Sequence, residues 1–336
     1  MIIVQTAFPG DVILALPLAA ACKMHFPKSE VHFLTTPDAA GILKNNPHID
    51  RVWTFDKNGE ERSWSSLMKL QAHLRNESFD LAFVPHRSFR TGFLLKGASI
   101  PERIGFDRGG GRLFLTRRVP YPESLHEVER NMDLVRSLGI PADATPPALF
   151  PGKEEKETIN GFLYDRHLKT ARRLIALAPG SAWPTKRWPL HGFIEVAAQM
   201  YRRHGVRSLV IGGPAEREMG ARMARDLPDA VIPAAGCFSM LESAELIRRC
   251  RVTVSNDSAP AHIAAAVGVP VVSIFGPTVP GFGFYPYGEN HTLLQKSLSC
   301  RPCGVHGGNR CPVRHFRCMR DIHPREVISA LRRYVE

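Results

Sequence analysis

Between residues 255 and 278 the chain reads SNDSAPAHIAAAVGVPVVSIFGPT, and its polar side chains are spaced to hold an anion. Asp257, Ser258 and His262 cluster where an apolar, strand-like run gives way to a helix of small residues. Hydroxyl, imidazole and backbone N–H groups at a helix N-terminus suit a phosphate, and the small side chains there leave the N–H groups accessible. On their own, Asp257 and Ser258 fit an ordinary helix cap equally well, and His262 a partly buried histidine. Residues 178–189, APGSAWPTKRWP, bring Gly180 and Ser181 as phosphate donors together with Lys186. A lysine there can neutralise the charge that develops on a departing diphosphate, although most loop lysines are simply solvated. Glu216 closes an IGGPAE turn, where on its own it fits a first-turn helix acid. Asp11 follows Gly10 at the first strand–helix turn, where a carboxylate can accept a hydroxyl proton or merely cap the helix. In residues 85–90, PHRSFR, Arg87 and Arg90 offer guanidinium forks to acidic groups on either side of Ser88.

Positioning these residues requires a particular architecture. Apolar strand-like runs at 2–6, 30–34, 51–54, 81–84 and 103–105 alternate with helical patterns at 11–26, 64–76, 88–96 and 126–138. A Pro- and Ala-rich stretch, 141–152, reads as a linker. A second series follows, with strands at 174–178, 208–211, 230–232, 252–255 and 271–274 and a small-residue helix at 259–268. Such alternation predicts two doubly wound parallel sheets, in domains spanning 1–150 and 151–336. Their polar turns follow the carboxyl ends of strands, where open α/β sheets bind ligands. A nicotinamide dehydrogenase is excluded, because the first turn, TAFPGD, holds one glycine and the second strand ends TTP without an acidic residue.

Composition narrows the partners. Forty-four Lys and Arg residues against 32 Asp and Glu give a net charge of +12, which calls for an anionic partner or surface. The basic residues are spread through 87–118, 166–173, 202–207 and 301–333, and no nucleic-acid motif accompanies them. No apolar run reaches bilayer-spanning length, and the chain starts directly with a strand, so cytoplasmic residence is expected. Disulfides are disfavoured in that compartment. Cys300, Cys303, Cys311 and Cys318 could hold a structural zinc, while Cys22, Cys237 and Cys250 read as core thiols. No Asp-x-Asp motif occurs, so a divalent metal on the diphosphate is not indicated.

The whole pattern resembles glycosyltransferase family 9, the lipopolysaccharide heptosyltransferases, and within it heptosyltransferase II. Asp257, Ser258, His262, Pro270, Phe275, Gly276, Pro277 and Thr278 match its nucleotide-sugar signature, with Ala259 where glycine is usual. The N-terminal QTAFPGDVILALPLAAACKMHFP, the APGSAWPTKRWP loop and the IGGPAE turn match further motifs in the family's order. The resemblance implies a GT-B fold, two Rossmann-like domains facing across a cleft, with the C-terminal helix a candidate to pack back on the first domain. It implies inverting transfer of a heptose from ADP-heptose to the lipid-anchored inner core, without a required cofactor. Asp11 and Lys186 are then catalytic. Ser181, Lys186, Glu216, Asp257, Ser258, Ala259 and His262 bind the donor, and Arg87, Ser88 and Arg90 the acceptor. The protein is expected to work peripherally at the inner, anionic face of the cytoplasmic membrane. A sugar-nucleotide epimerase on the same fold, or a basic nucleotide- or nucleic-acid-binding protein without catalysis, are the alternatives.

Overall fold

The computed structural model describes residues 1–168 and 174–335; Arg172 and Arg173, part of the basic stretch 166–173, lie outside the described residues. The chain forms two compact units, Met1–Ala148 and Leu149–Glu336.

In the first unit the strands are β1 (Ile2–Val4), β2 (His32–Thr35), β3 (Arg51–Thr54), β4 (Leu81–Val84), β5 (Glu102–Phe106) and β6 (Arg117–Val119). They form one parallel sheet in the order β3-β2-β1-β4-β5-β6. Strands β1, β2 and β4 are buried along their length, as parallel strands covered on both faces must be. Helices α1 (Pro9–Leu14), α2 (Leu16–His25), α3 (Pro37–Ala40), α4 (Trp64–Asn76), α5 (Phe89–Gly97) and α6 (Glu127–Arg136) connect and cover them. Leu67, Leu70 and Leu74 of α4 and Leu94 and Leu95 of α5 pack on Ile2, Val4, Ala82 and Val84. The helix predicted over 11–26 is broken at Ala15. Pro17 has no N–H to give to the preceding turn, and its ring crowds that turn's carbonyl, so the helix stops and restarts. Strand β6 escapes sequence detection because Arg117 and Arg118 are exposed and only Val119 is buried.

In the second unit the strands are β7 (Leu174–Ala178), β8 (Arg207–Val210), β9 (Val231–Pro233), β10 (Thr253–Asn256), β11 (Val271–Phe275) and β12 (Thr292–Gln295). Their order, β12-β11-β10-β7-β8-β9, repeats that of the first sheet when counted from β7, and both are Rossmann sheets. Each reverses direction of growth beside its first strand, at β1/β4 and at β7/β10. Ligands bind at such switch points. The helices are α7 (Lys153–Asp165), α8 (Leu190–His204), α9 (Arg217–Asp226), α10 (Met240–Arg248), α11 (Ala259–Ala266), α12 (Arg317–Arg320) and α13 (Pro324–Val335). Two Rossmann-like α/β units constitute the GT-B class expected from the sequence. No helix among the described residues is long and apolar enough to cross a membrane.

The C-terminal helix commits its apolar stripe to its own unit. The apolar stripe of α13 (Val327, Ile328 and Leu331) is buried in the second unit's own core with Phe193, Val196 and Met200 of α8. Its amphipathic spacing supplies one apolar face, and that face is used there. Leu331→Ala should therefore destabilise the second unit by about 2–5 kcal/mol, the range for a truncated core leucine. Urea unfolding followed through the fluorescence of Trp188, which lies in the same core, measures it. An unchanged midpoint would detach α13 from that core.

Candidate functional site

In the second unit, the loops after β7 and β10 meet at the switch point. Asn256, fully buried at the end of β10, joins them. Its Nδ2 donates to the carbonyls of Pro179 (2.8 Å) and Gly180 (3.2 Å), and its Oδ1 accepts from the Trp188 N–H (3.0 Å). The APGSAWPTKRWP loop is thereby held over the end of β10. Lys186 Nζ consequently lies 2.6 Å from Asp257 Oδ2, with side-chain exposures of only 13% and 8%. The Thr278 hydroxyl donates to the same carboxylate oxygen at 2.6 Å. Lys186 has three N–H donors, so the contact with Asp257 leaves others for a ligand oxygen.

The other predicted donor residues surround this pair. Ser181 is buried, its hydroxyl accepting from the Trp183 N–H and its carbonyl from Arg187 Nε. Glu216 folds back to accept the Gly213 N–H at 2.9 Å. A Cβ at Gly180 would stand 2.3 Å from Glu216 Cγ, so Glu216 lies flat against the Gly180 backbone and a side chain at 180 would displace it. Ser258 occupies the N-cap position of α11, yet its hydroxyl makes no cap bond and points to the Asn256 and Gly180 carbonyls at 3.3 and 3.5 Å. Simple capping therefore does not account for Ser258. The start of α11 is less open to an anion than its small residues imply. Ala259 begins it, Pro260 has no N–H, and Ala261 gives its own to the Ser258 carbonyl. His262 is buried in the same helix.

In the first unit, Asp11 is the third residue of α1, and its Oδ2 accepts the Phe8 N–H at 3.2 Å. The carboxylate is half-exposed and close enough to Lys57 and Glu127 to act on the proton affinity of both. After β4, His86 Nδ1 sits 2.9 Å from the Thr6 hydroxyl and 2.8 Å from that of Thr91. Burial, with help from Lys57 and Arg87, pushes its pKa down to about 3. The Arg87 guanidinium stacks on the Tyr121 ring at 4.3 Å and has no hydrogen-bond or ion-pair partner among the described residues, so its donor fork is available. Ser88 and Arg90 are committed elsewhere. The Ser88 hydroxyl caps α5 by accepting the Thr91 N–H. Arg90 donates to the Lys57 and Arg62 carbonyls and packs by Phe55 and Trp64, holding the loop after β3.

Sequence reasoning missed a buried network behind Asp11. Tyr121 donates to Glu127 Oε2 at 2.8 Å, and Arg130 Nε lies 2.9 Å from the same oxygen. Burial pushes Glu127 up to about 7, against the pull of Arg130 and Tyr121. Its only sequence signal is an acid, Glu127, three residues before an arginine on an otherwise amphipathic helix. Arg103 and Lys96, within the basic stretch 87–118, lie away from the loops that follow the strands. Arg103 enters at the amino end of β5 and is spent on the Phe114, Pro101 and Ile100 carbonyls. Lys96 is in the last turn of α5, away from the carboxyl ends of the strands.

The cysteines are likewise corrected. Among the described residues, no three His, Cys, Asp or Glu side chains gather to hold a metal, so the zinc suggested for Cys300, Cys303, Cys311 and Cys318 has no assembled ligand set. Cys318 is buried in the core, and that burial raises its pKa to about 11. Cys300 Sγ instead lies 3.7 Å from His315 Nε2. Cys22 and Cys250 are buried as expected, but Cys237 is exposed.

The profile of glycosyltransferase family 9 (heptosyltransferase) matches residues 67–310. The lipopolysaccharide heptosyltransferase 1 of Pseudomonas aeruginosa is 27% identical over 326 residues, covering 90% of this chain and 85% of that protein. Among solved structures, a family 9 glycosyl transferase from Veillonella parvula superposes with a TM-score of 0.89 at 24% identity, covering 99% of this chain and 96% of the other. The E. coli ADP-heptose LPS heptosyltransferase II does so at 0.81 and 23%, covering 99% and 98%. The chain belongs to glycosyltransferase family 9 and is a glycosyltransferase of the lipopolysaccharide heptosyltransferase type.

His86 provides a direct check on the first unit's site. Its folded pKa is far below the unfolded value near 6.5, so the unfolded chain binds the extra proton as pH falls from about 6.5 towards 3. The contribution of His86 to stability is thus complete above pH 6.5 and lost on acidification. Imidazole NMR shifts should show His86 neutral from pH 5 to 8. A midpoint near 6.5 would contradict the buried Thr6–His86–Thr91 arrangement.

Proposed function

We propose that this family 9 enzyme moves a heptose from ADP-heptose to the inner core of lipopolysaccharide, with inversion and without a divalent metal. In this reading the second unit holds the nucleotide sugar and the first unit the acceptor. The observation that carries it is the Lys186–Asp257–Thr278 cluster at the β7/β10 switch point. A lysine aimed by a carboxylate, among the Ser181, Ser258 and Ala259 backbone, His262 and Glu216, is equipped for a nucleoside diphosphate.

The chemistry follows from the groups present. The acceptor hydroxyl oxygen attacks the anomeric carbon of the heptose from the face opposite the diphosphate, and its proton passes to an Asp11 carboxylate oxygen. The bond from the anomeric carbon to the diphosphate oxygen breaks, and ADP leaves with the electron pair. Lys186 meets the negative charge that builds on that oxygen, so it contributes more in the transition state than in the ground state. Arg87, with its unspent fork held on Tyr121, is the acceptor-side group best placed to bind a carboxylate or phosphate of the core. Ser88 and Arg90 act through the local fold. We further propose that the enzyme works in the cytoplasm, peripherally at the membrane's inner face, through Arg87, Arg108 and Arg112 on the loops after β4 and β5.

Asp11→Asn preserves the acceptor for the Phe8 N–H but removes the proton acceptor, so turnover should fall about 10²–10⁴-fold with ADP affinity nearly unchanged. Steady-state transfer kinetics and ADP calorimetry check both halves, and near-normal turnover returns Asp11 to a capping role. Lys186→Ala should weaken ADP binding about ten- to hundredfold, the loss of one or two charge-assisted hydrogen bonds. Equal affinities in the two proteins would remove Lys186 from the donor site.

A further inference from the structure

The segment that carries the first three clustered cysteines, residues 300–311, belongs to none of the motifs used above. It is nonetheless hydrogen-bonded to both loops of the donor cluster. On one side, Arg301 Nη2 donates to the Thr278 carbonyl at 2.6 Å and reaches the Phe275 carbonyl at 3.4 Å and Gln295 Oε1 at 3.2 Å. Its Nη1 donates to the Lys296 carbonyl. The Cys303 N–H donates to the Pro277 carbonyl at 2.9 Å. On the other side, buried Thr185 and half-buried Gly308 are locked together. The Thr185 N–H donates to the Gly308 carbonyl at 3.1 Å, the Thr185 hydroxyl donates to that carbonyl at 2.8 Å, and the Gly308 N–H returns to the hydroxyl at 2.8 Å. Gly307 approaches so closely that a Cβ on it would lie 3.2 Å from Lys186 Cγ, and its φ of +86° already favours glycine.

These bonds end on the residues flanking the ion pair. Thr185 precedes Lys186, and the Thr278 carbonyl held by Arg301 belongs to the residue whose hydroxyl fixes Asp257 Oδ2. We infer that residues 301–308 form a strap across the donor site, in which Arg301 and Gly308 are positioning residues that hold Lys186 and Asp257 ready for the donor diphosphate. The inference rests on the donor reading of that cluster. A guanidinium suits the task because its planar fork spans several carbonyls at once, which a lysine ammonium does not. Holding the ligand-binding groups in place before the ligand arrives lowers the ordering cost of binding.

The test compares ADP calorimetry and steady-state kinetics for the full-length wild type and for Arg301→Gln, Arg301→Lys, Gly308→Pro and Gly308→Ala. Arg301→Gln and Gly308→Pro should each raise the ADP Kd and the donor KM about tenfold, roughly the weight of one charge-assisted hydrogen bond, and leave the acceptor KM unchanged. Gly308→Ala retains the N–H and should behave as wild type, whereas Arg301→Lys should resemble Arg301→Gln. Folded variants with wild-type ADP affinity overturn the strap. If the variants fail to fold, hydrogen exchange on the wild type decides: ADP should slow exchange at the Cys303 and Gly308 amides, and unchanged rates there overturn the inference. Loss of ADP binding in Lys186→Ala but not in Arg301→Gln refutes the strap alone. Absence of ADP binding by the wild type refutes the donor reading and the strap with it.

Discussion

Burying the Lys186 ammonium beside the Asp257 carboxylate costs both groups hydration, and much of the second unit's polar structure offsets that cost. A buried ion pair is tolerated only when its remaining donors and acceptors are satisfied. Here Thr278 supplies a second hydrogen bond to the Asp257 oxygen, and Asn256 ties the lysine's loop to the strand that carries the aspartate. None of this would meet without the strand order. Strands β7 and β10 are neighbours only because the sheet grows outward in both directions from β7, so two loops far apart in sequence emerge side by side. The pair is consequently a product of topology before it is a product of local sequence.

The first unit puts the same topology to different use. Its switch point, between β1 and β4, also gathers two loops, and these carry Asp11 and His86. The groups differ from those of the second unit. A neutral histidine bridges two threonine hydroxyls, and Arg87 rests on an aromatic face with its donors unspent. One unit thus offers a fixed cation beside a carboxylate, and the other a half-exposed carboxylate and a free guanidinium. That division suits a donor that leaves as an anion and an acceptor that must lose a proton.

Most of the strands were legible from their apolar runs, and the polar loops from their positions after strands. Lys186 and Asp257, proposed here to hold the donor, are short-range features of those loops, which is why they could be named in advance. Their supports could not. Thr185, Arg301 and Gly308 act through contacts across more than a hundred residues or through backbone carbonyls, and neither leaves a spacing pattern. Arg87 and Arg90 are indistinguishable in sequence, yet one stacks on Tyr121 and the other binds the carbonyls of a neighbouring loop. Charge clustering along the chain does not say which end of a strand a residue such as Arg103 occupies. Exposed β6, with two arginines in three residues, and half-buried β12 were not found from the sequence.

The measurement that bears most directly on the whole account is the release of ADP from ADP-heptose by the wild-type protein, followed with and without a truncated inner-core acceptor. The account predicts that ADP forms only when the acceptor is present, in step with a heptosylated product of inverted anomeric configuration. Conversion of the donor without acceptor, or a product with retained configuration, would contradict it.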